Sequence, residues 1–501
     1  MADNRRGLFS RVKGAFDVMA TGYDGAIASR LRRTTAWNES PEGSEEAVVG
    51  PRDRQAIQLE GRYSYRNNPI AGAIVDRIAS YAIFDGVQPQ AHTTDEKWNT
   101  EAETWWKQVF VPTADYRQQQ GVTFTTFQEQ AITERIVVGD MGFILLANGQ
   151  MQPIESSRIA TPAKFHRDPQ VIDGVRRTPS GIVTGYYVCN RKANGGGINN
   201  QDFRLIKREN FIHCWRSTRP DMVRGIPDLA PVSTNLREYK ETDANVRAKI
   251  KADAKTWGLS KKEMTIANQR NRSAYTLDEG SDVNPQRVEK VDDLRLLNMN
   301  KDEDVVPFDS KTPNAQYVDY LHESISIIAA RLSLPYEFVM LVFTQGSYSA
   351  QRVALIAAHH TIIKWVKWEN NVLNKRVWNW RIAKAMKNGQ LPPAPVDARG
   401  QSEWWKVEWS LPPWQEIDTD KQVKGDAGNW KMGRASMKSM IAQDGGNRDD
   451  VFAEKAQDIV AAAKAAKAAS AGEGVDVSWR DIIDISQGQT VTTPTPEPNE
   501  E

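Results

Sequence analysis

The residues able to do acid-base, nucleophilic or metal chemistry are scattered along this chain rather than grouped. Six histidines, His92, His166, His213, His322, His359 and His360, make no HExxH and no paired metal-ligand spacing. Cys189 and Cys214 stand 25 positions apart with no CxxC, so neither a zinc site nor a disulfide framework is suggested. His213 and Cys214 are neighbours, but adjacent side chains in a strand point to opposite faces, which makes a poor thiol-imidazole pair. His359 and His360, roughly 100° apart on a helix, suit packing or subunit contact. Gly195-Gly196-Gly197 has no lysine or helix start placed to cradle phosphate, and no Walker loop occurs. Gly346-Ser347-Tyr348-Ser349 lacks the GxSxG elbow. With Asp+Glu at 64, carboxylate pairs are unavoidable and discriminate nothing. The expectation is no catalytic residue, no metal and no cofactor.

The chain has 501 residues, and Lys+Arg 65 against Asp+Glu 64 leaves a formal net charge of +1. Whole-molecule electrostatics therefore offers no general attraction to nucleic acid or to an anionic membrane, and any such partner must be held locally. No apolar run approaches the ~18 to 20 residues of a membrane span, and the opening MADNRRGLFSRVKGAF lacks a signal peptide's apolar stretch. A cytoplasmic site of synthesis is expected. Several of the sixteen tryptophans fall in tight groups, such as Trp105 with Trp106 and Trp404 with Trp405 and Trp409, and read as packing surfaces.

The elements that must position any site follow from periodicity. Residues 1–50 are a basic arm interspersed with Gly and Ser. Residues 51–227 mix short helices with strand-like runs and form an α+β domain. Within it, RNNPIAGAIVDRIASYAI is a helix started by Asn67-Asn68-Pro69, since Asn caps and proline is pre-shaped for the first turn. GVTFTTFQEQAITERIVVGDMGFILLANG is a helix entering a strand through a Gly-Asp turn, and GIVTGYYVCN and FRLIKRENFIHCW are strands separated by NGGGINN. Residues 228–257 read as a long amphipathic helix in which Val232, Leu236, Tyr239, Val246 and Ile250 form a seam, with Asp243 as its one polar interruption. A polar excursion, 258–312, separates it from a second amphipathic helix at 313–335. There Val318, Leu321, Ile325, Ile328 and Leu332 repeat the spacing, and Asp319 and Glu323 occupy the other face.

Residues 336–349 read as a loop with an apolar start and a small polar end. Helical patterning then runs over 350–388, some 60 Å at 1.5 Å per residue, with Lys364 and Lys375 opposite its apolar side. A proline-rich connector and the strand EWWKVEWS occupy 389–415 and return to the first domain. A helical region covers 416–470, and 471–501 has the acidic composition of disorder.

The order of these parts, and the words in them, resembles the portal proteins of tailed bacteriophages, specifically the lambda-type family. The matching segments include RDRQAIQLEGRYSYRNNPIAGAIVDRI, QPIESSRIATP, GVRRTPSGIVTGYYV, LREYKETDANVRAKIKA, IAARLSLPYEFVM, GSYSAQRVAL and DTDKQVKGDAGNWKMGRAS. The most specific is the H-x5-RPxxxRGxP string from His213 to Pro227. The resemblance implies a dodecameric ring at one capsid vertex, with a channel through which double-stranded DNA is packaged and ejected. It implies nucleation of the procapsid and contacts with the terminase motor, head-completion or adaptor proteins, and major capsid and scaffolding proteins, in a virion assembled in the host cytoplasm. Projected onto this chain, 51–227 is the wing, 228–257 and 313–335 are stem helices, 258–312 is the clip, and 336–349 is the tunnel loop. Residues 350–388 become the long wing helix, 389–415 the returning wing strand and 416–470 the crown.

Physics agrees with that projection. A ring needs interfaces that close by rotation, and two amphipathic helices per subunit supply a seam. DNA that must move cannot be bound tightly, because every phosphate neutralised adds affinity. Asp319 and Glu323 beside the stem seam, and a loop of Gln345, Gly346, Ser347, Tyr348 and Ser349, suit sliding. Arg352, Lys364 and Lys375 are candidates for weak phosphate contacts, with surface or intersubunit salt bridges as the competing reading. Lys261, Lys262, Arg270 and Arg272 in the clip could face an acidic motor or adaptor. Two other classes remain: a DNA-processing enzyme, against which the missing Walker loop speaks, and another ring or adaptor of the phage tail.

Overall fold

A computed structural model describes residues 49–194, 196–255, 259–261, 288–291, 294–297, 304–306, 315–343, 347–412, 419–437, 440–441 and 448–473. The expected arm before residue 49 and the tail after residue 473 lie outside them. Among the described residues the chain is α+β. Along it come α1 (Pro51–Asn67), α2 (Pro69–Ile83), β1 (Pro89–Ala91), α3 (Glu96–Trp105), α4 (Phe124–Val137), β2 (Asp140–Leu145) and β3 (Met151–Glu155). Strands β4 (Val171–Ile172), β5 (Val175–Arg177), β6 (Val183–Arg191), β7 (Ile198–Lys207) and β8 (Phe211–Trp215) lead to helix α5 (Ser233–Lys255). Then follow β9 (Leu259–Lys261), β10 (Val288–Val291), β11 (Leu294–Leu297), β12 (Asp304–Val306), α6 (Ala315–Arg331), α7 (Tyr336–Met340), α8 (Tyr348–Glu369), α9 (Lys375–Lys387), β13 (Val407–Trp409), α10 (Thr419–Lys431) and α11 (Arg448–Glu473). The chain divides into two compact units, one of Met1–Ser80, Asp115–Arg117 and Thr126–Trp365, the other of Tyr81–Ala114, Gln118–Thr125 and Val366–Glu501.

In the first unit the expected cap is present. Asn68 Oδ1 accepts from the Ile70 and Ala71 N–H groups at 3.0 and 3.3 Å, with Pro69 at the first position of α2. Two antiparallel sheets follow, of order β3-β2-β8 and β4-β5-β6-β7. Strand β2 is buried at every position, as the apolar run GFIL requires of a strand covered on both faces. Ile144, Ile154, Val175, Tyr186, Val188 and Phe211 from both sheets form one core cluster, with the Tyr186 and Phe211 rings stacked at 4.4 Å. The expected polar excursion holds two antiparallel strand pairs among its described residues, β9 with β12 and β10 with β11.

The second unit holds most of the described tryptophans. Trp106, Phe110, Phe124, Trp378 and Trp409 interlock with ring centroids 4.5 to 6.3 Å apart, the packing role expected of these groups. The returning strand is shorter than EWWKVEWS implied. Only Val407–Trp409 is strand, pairing antiparallel with Pro89–Ala91. Helical conformation continues from Tyr348 to Lys387, interrupted by a π-helical turn at Asn370–Asn374.

The expected loop of 336–349 is also shorter. Tyr336–Met340 is helical and stops where Leu341 turns left-handed at φ 53°, and α8 already contains Tyr348 and Ser349. Pro335 starts that helix with an extended backbone, which a proline-fixed φ allows at a first turn.

Candidate functional site

Three sites carry the residues singled out by sequence. The first is a buried polar clamp built on Asp140, which is fully buried. Arg224 Nε donates to Asp140 Oδ2 at 2.5 Å and Nη2 to Oδ1 at 3.0 Å, a bidentate pair. His213 Nε2 donates to Oδ2 at 3.1 Å, the Gly225 N–H to Oδ2 at 3.2 Å, and Ser156 Oγ to Oδ1. The remaining Arg224 donors reach the carbonyls of Ile159 (2.6 Å), Asp173 (2.8 Å) and Ser156 (3.0 Å).

Burial opposes the charge on Asp140, but Arg224 and the His213 hydrogen bond outweigh it and hold the carboxyl well below the usual carboxylate range. Burial pushes His213 below its ordinary value against the pull of Asp140. Five donors saturate the carboxylate, so it has no free lone pair with which to accept a substrate proton. The clamp is structural, and it explains the His213 to Pro227 string: His213 and Arg224 grip the same carboxylate. Gly225 lies so close to Gly139 that a Cβ on it would stand 2.0 Å from the Gly139 carbonyl oxygen. Gly139 itself turns at φ 102°. Beside this clamp, Arg135 donates to Asp228 at 3.0 Å and lies 3.8 Å over the Trp365 ring; burial lowers its pKa to about 10.

The second site is the helix pair α5 and α6. Val232, Leu236, Ile325, Ile328 and Leu332 are buried within the chain itself. Tyr239, Val246, Ile250 and Leu321 are half-buried, while Val318 is 63% exposed. Asp243 is no mere interruption of this seam. Its Oδ1 accepts from the Tyr317 hydroxyl of α6 at 3.1 Å and its Oδ2 pairs with Arg247 one turn on at 2.8 Å. Burial and that hydrogen bond raise the Tyr317 pKa to about 12. A lone acid on an apolar seam was visible in the sequence, but its partner on another helix was not. Asp319 and Glu323, four apart on α6, are both exposed.

The third site is the entry to α8. Ser347 Oγ accepts from the Ala350 N–H at 3.3 Å, so this hydroxyl caps the long helix. Gln351 Nε2 donates to the Phe343 carbonyl across the loop, and Thr361 Oγ1 donates to the Ser333 carbonyl at 2.8 Å. Ser349, Lys364 and Lys375 are exposed and Arg352 is half-buried. Gln345 and Gly346 in the loop, and Lys262, Arg270 and Arg272 in the excursion, lie outside the described residues; Lys261 pairs in register with Asp304.

Over residues 30–365 the chain matches the family described as phage portal protein, lambda family. No curated protein matches it. Among solved structures it is similar to a chain of the neck of an empty GTA particle computed with C6 symmetry, at 14% identity and a TM-score of 0.47, covering 78% of this chain and 92% of that one. A chain from the virion of a native gene transfer agent particle is similar at 12% identity and a TM-score of 0.41, covering 81% and 96%. A chain of the native GTA neck computed with C12 symmetry is similar at 13% identity and a TM-score of 0.41, covering 79% and 94%.

Proposed function

This chain belongs to the lambda family of phage portal proteins, and from that premise we propose that its subunits close into a ring at one capsid vertex, around a channel for double-stranded DNA. The observation that carries the reading is the span of the family match, which runs through α5, α6, α7 and into α8, the elements assigned to stem, tunnel loop and long wing helix. A second observation supports ring closure. Val318, Tyr320 and Ile327 on α6, and Val353 and Ile356 on α8, are large apolar side chains left exposed by the single chain. Apolar surface of this kind is costly to leave in water and suits cover by a neighbouring subunit. The buried seam residues pack the subunit itself, and this second, exposed set makes the contact between copies.

In this reading the ring is dodecameric, docks the terminase motor and head-completion proteins, and nucleates the procapsid. Exposed Asp319 and Glu323 face the channel and keep phosphates from lodging there. The short stretch between α7 and α8 approaches DNA through Gln345 and Gly346, while Ser347 serves α8 as its cap. Arg352, Lys364 and Lys375 are contact candidates that meet phosphate weakly, and the clip lysines and arginines face the motor.

Negative-stain images of the purified assembly test the ring: a twelve-fold annulus is expected, and a chain that stays monomeric at high concentration refutes it. Deleting 344–346 while keeping the Ser347 cap should leave rings intact and impair DNA packaging or retention. Unchanged packaging in vitro removes the tunnel assignment. ATPase and nuclease assays on the same preparation separate this reading from a DNA-processing enzyme.

A further inference from the structure

The four-stranded sheet of the first unit ends in an open edge. Strand β7 pairs with β6 on one side, from Gly185 opposite Lys207 to Arg191 opposite Ile198. On its other side no strand pairs with it among the described residues. The register shifts between Cys189 and Asn190, so residues 200–202 bulge and the Gln201 N–H turns back to Asn199 Oδ1; the regular part of the edge spans residues 203–207, about 16 Å at ~3.3 Å per residue.

The surface around that edge is basic in a chain that is nearly neutral. Between residues 164 and 209 there are nine lysines and arginines, of which Arg191 pairs with Glu155, against four acids. Two of those acids are already engaged: Asp173 stands 2.7 Å from Arg54, and Asp202 accepts from the Asn190 side chain at 3.0 Å. Arg204 and Lys207 on β7 are exposed, as are Arg208 just beyond it and Lys192 just past the end of β6. Cations are crowded here, since burial together with Arg204 and Arg191 holds the half-buried Arg158 below its ordinary pKa.

Two copies of such an edge laid side by side would set arginine and lysine against like charge, so the cations discourage pairing of this edge with its own copy. They favour a strand of opposite sign. Between Arg204 and Lys207 stand Leu205, 43% exposed, and the half-buried Ile206. Directly opposed residues of an antiparallel pair share a face, so the complement of Arg-Leu-Ile-Lys is an acid, two apolar residues and an acid. A DNA duplex offers phosphate acceptors to the cations and the backbone N–H groups but nothing for the exposed leucine or for the open carbonyls. We propose that the outer edge of β7 takes an added strand from a partner protein, an extended acidic segment carrying two acids separated by two apolar residues.

The test uses the full chain and a fluorescein-labelled peptide of about ten residues with Glu-Val-Val-Glu at its centre and threonines on either side, read by anisotropy. Saturable binding is expected. The variant carrying Arg204→Glu and Lys207→Glu, both at exposed positions that leave the core untouched, should weaken it at least tenfold. A peptide with Lys-Val-Val-Lys at its centre should regain binding to that variant. N-methylation of the four central residues keeps the side chains and removes the pairing N–H groups, so it should abolish binding. Absence of binding, equal binding of the N-methylated peptide, indifference to the charge reversal, or preference for a short DNA duplex over the peptide would each overturn the assignment.

Discussion

Replacing Arg224 by alanine should open the sheet of β2, β3 and β8 locally without touching any surface assigned to partners. The guanidinium makes two hydrogen bonds to the Asp140 carboxylate and three to backbone carbonyls, and its side chain is 1% exposed. Its removal leaves a buried carboxylate with only the His213, Ser156 and Gly225 donors, and breaking a buried pair in this way costs about 3 to 5 kcal/mol. At 1.36 kcal/mol per tenfold, that is roughly a 100- to 5,000-fold rise in the opening of β2 and β8. Native-state hydrogen exchange of peptides spanning Asp140–Leu145 and Phe211–Trp215 reads it directly.

The pH dependence gives a second, independent readout. In the intact protein Asp140 ionises more readily folded than unfolded, so its contribution is present above the ordinary carboxylate pKa and is lost as pH falls through the depressed folded value. In the variant burial is far less opposed, the folded value rises, and neutralisation on acidification relieves the orphaned charge. The gap between the two proteins should therefore narrow from pH 8 to pH 5. Asp140→Asn combined with Arg224→Ala should cost less than the sum of the two single changes. A loss below ~1 kcal/mol, or a gap that widens on acidification, would refute the clamp as the organiser of this sheet.

Three further outcomes are expected. Asp243→Ala should lower the Tyr317 titration from about 12 toward the ordinary tyrosine value, visible in the alkaline absorbance difference, and should loosen the α5 and α6 pair by ~1 kcal/mol. Glu369 is fully buried just before the π-turn, and burial raises its pKa to about 8 against the opposing hydrogen bond from the Asn374 side chain. Its neutral form favours folding below the ordinary glutamate pKa, and that contribution is lost as pH rises through about 8. Glu369→Gln should therefore flatten the fall in urea stability between pH 5 and 8, and an unchanged slope would contradict this. Ser347→Ala should cost ~1 kcal/mol at the start of α8, seen as faster exchange of its first turn, while Ser347→Gly should cost only a few tenths.

Much of the local architecture was legible in order and type. Asn68-Pro69 announces α2, the Gly139-Asp140 turn separates α4 from β2, and the 3,4 spacing of Leu236 through Ile250 and of Val318 through Leu332 marks α5 and α6. Such signals work because capping, turn geometry and amphipathic periodicity are decided within a few residues of chain. The shortened loop shows their limit, since the Ser347 cap at the head of α8 and the left-handed stop at Leu341 both depend on backbone geometry that the residue types alone leave open.

What only the tertiary structure decided is partnership. Periodicity marks Asp243 as a misfit on an apolar seam, but only the approach of α6 brings the Tyr317 hydroxyl to it, 74 positions away. The His213 to Pro227 string was conspicuous without a stated task until folding laid Arg224 against Asp140, 84 positions earlier. Likewise nothing near Val407–Trp409 indicates pairing with Pro89–Ala91. A sequence states which side chains must leave water, while the path of the backbone selects which distant group meets each buried charge, and a buried carboxylate is stable only when that meeting occurs.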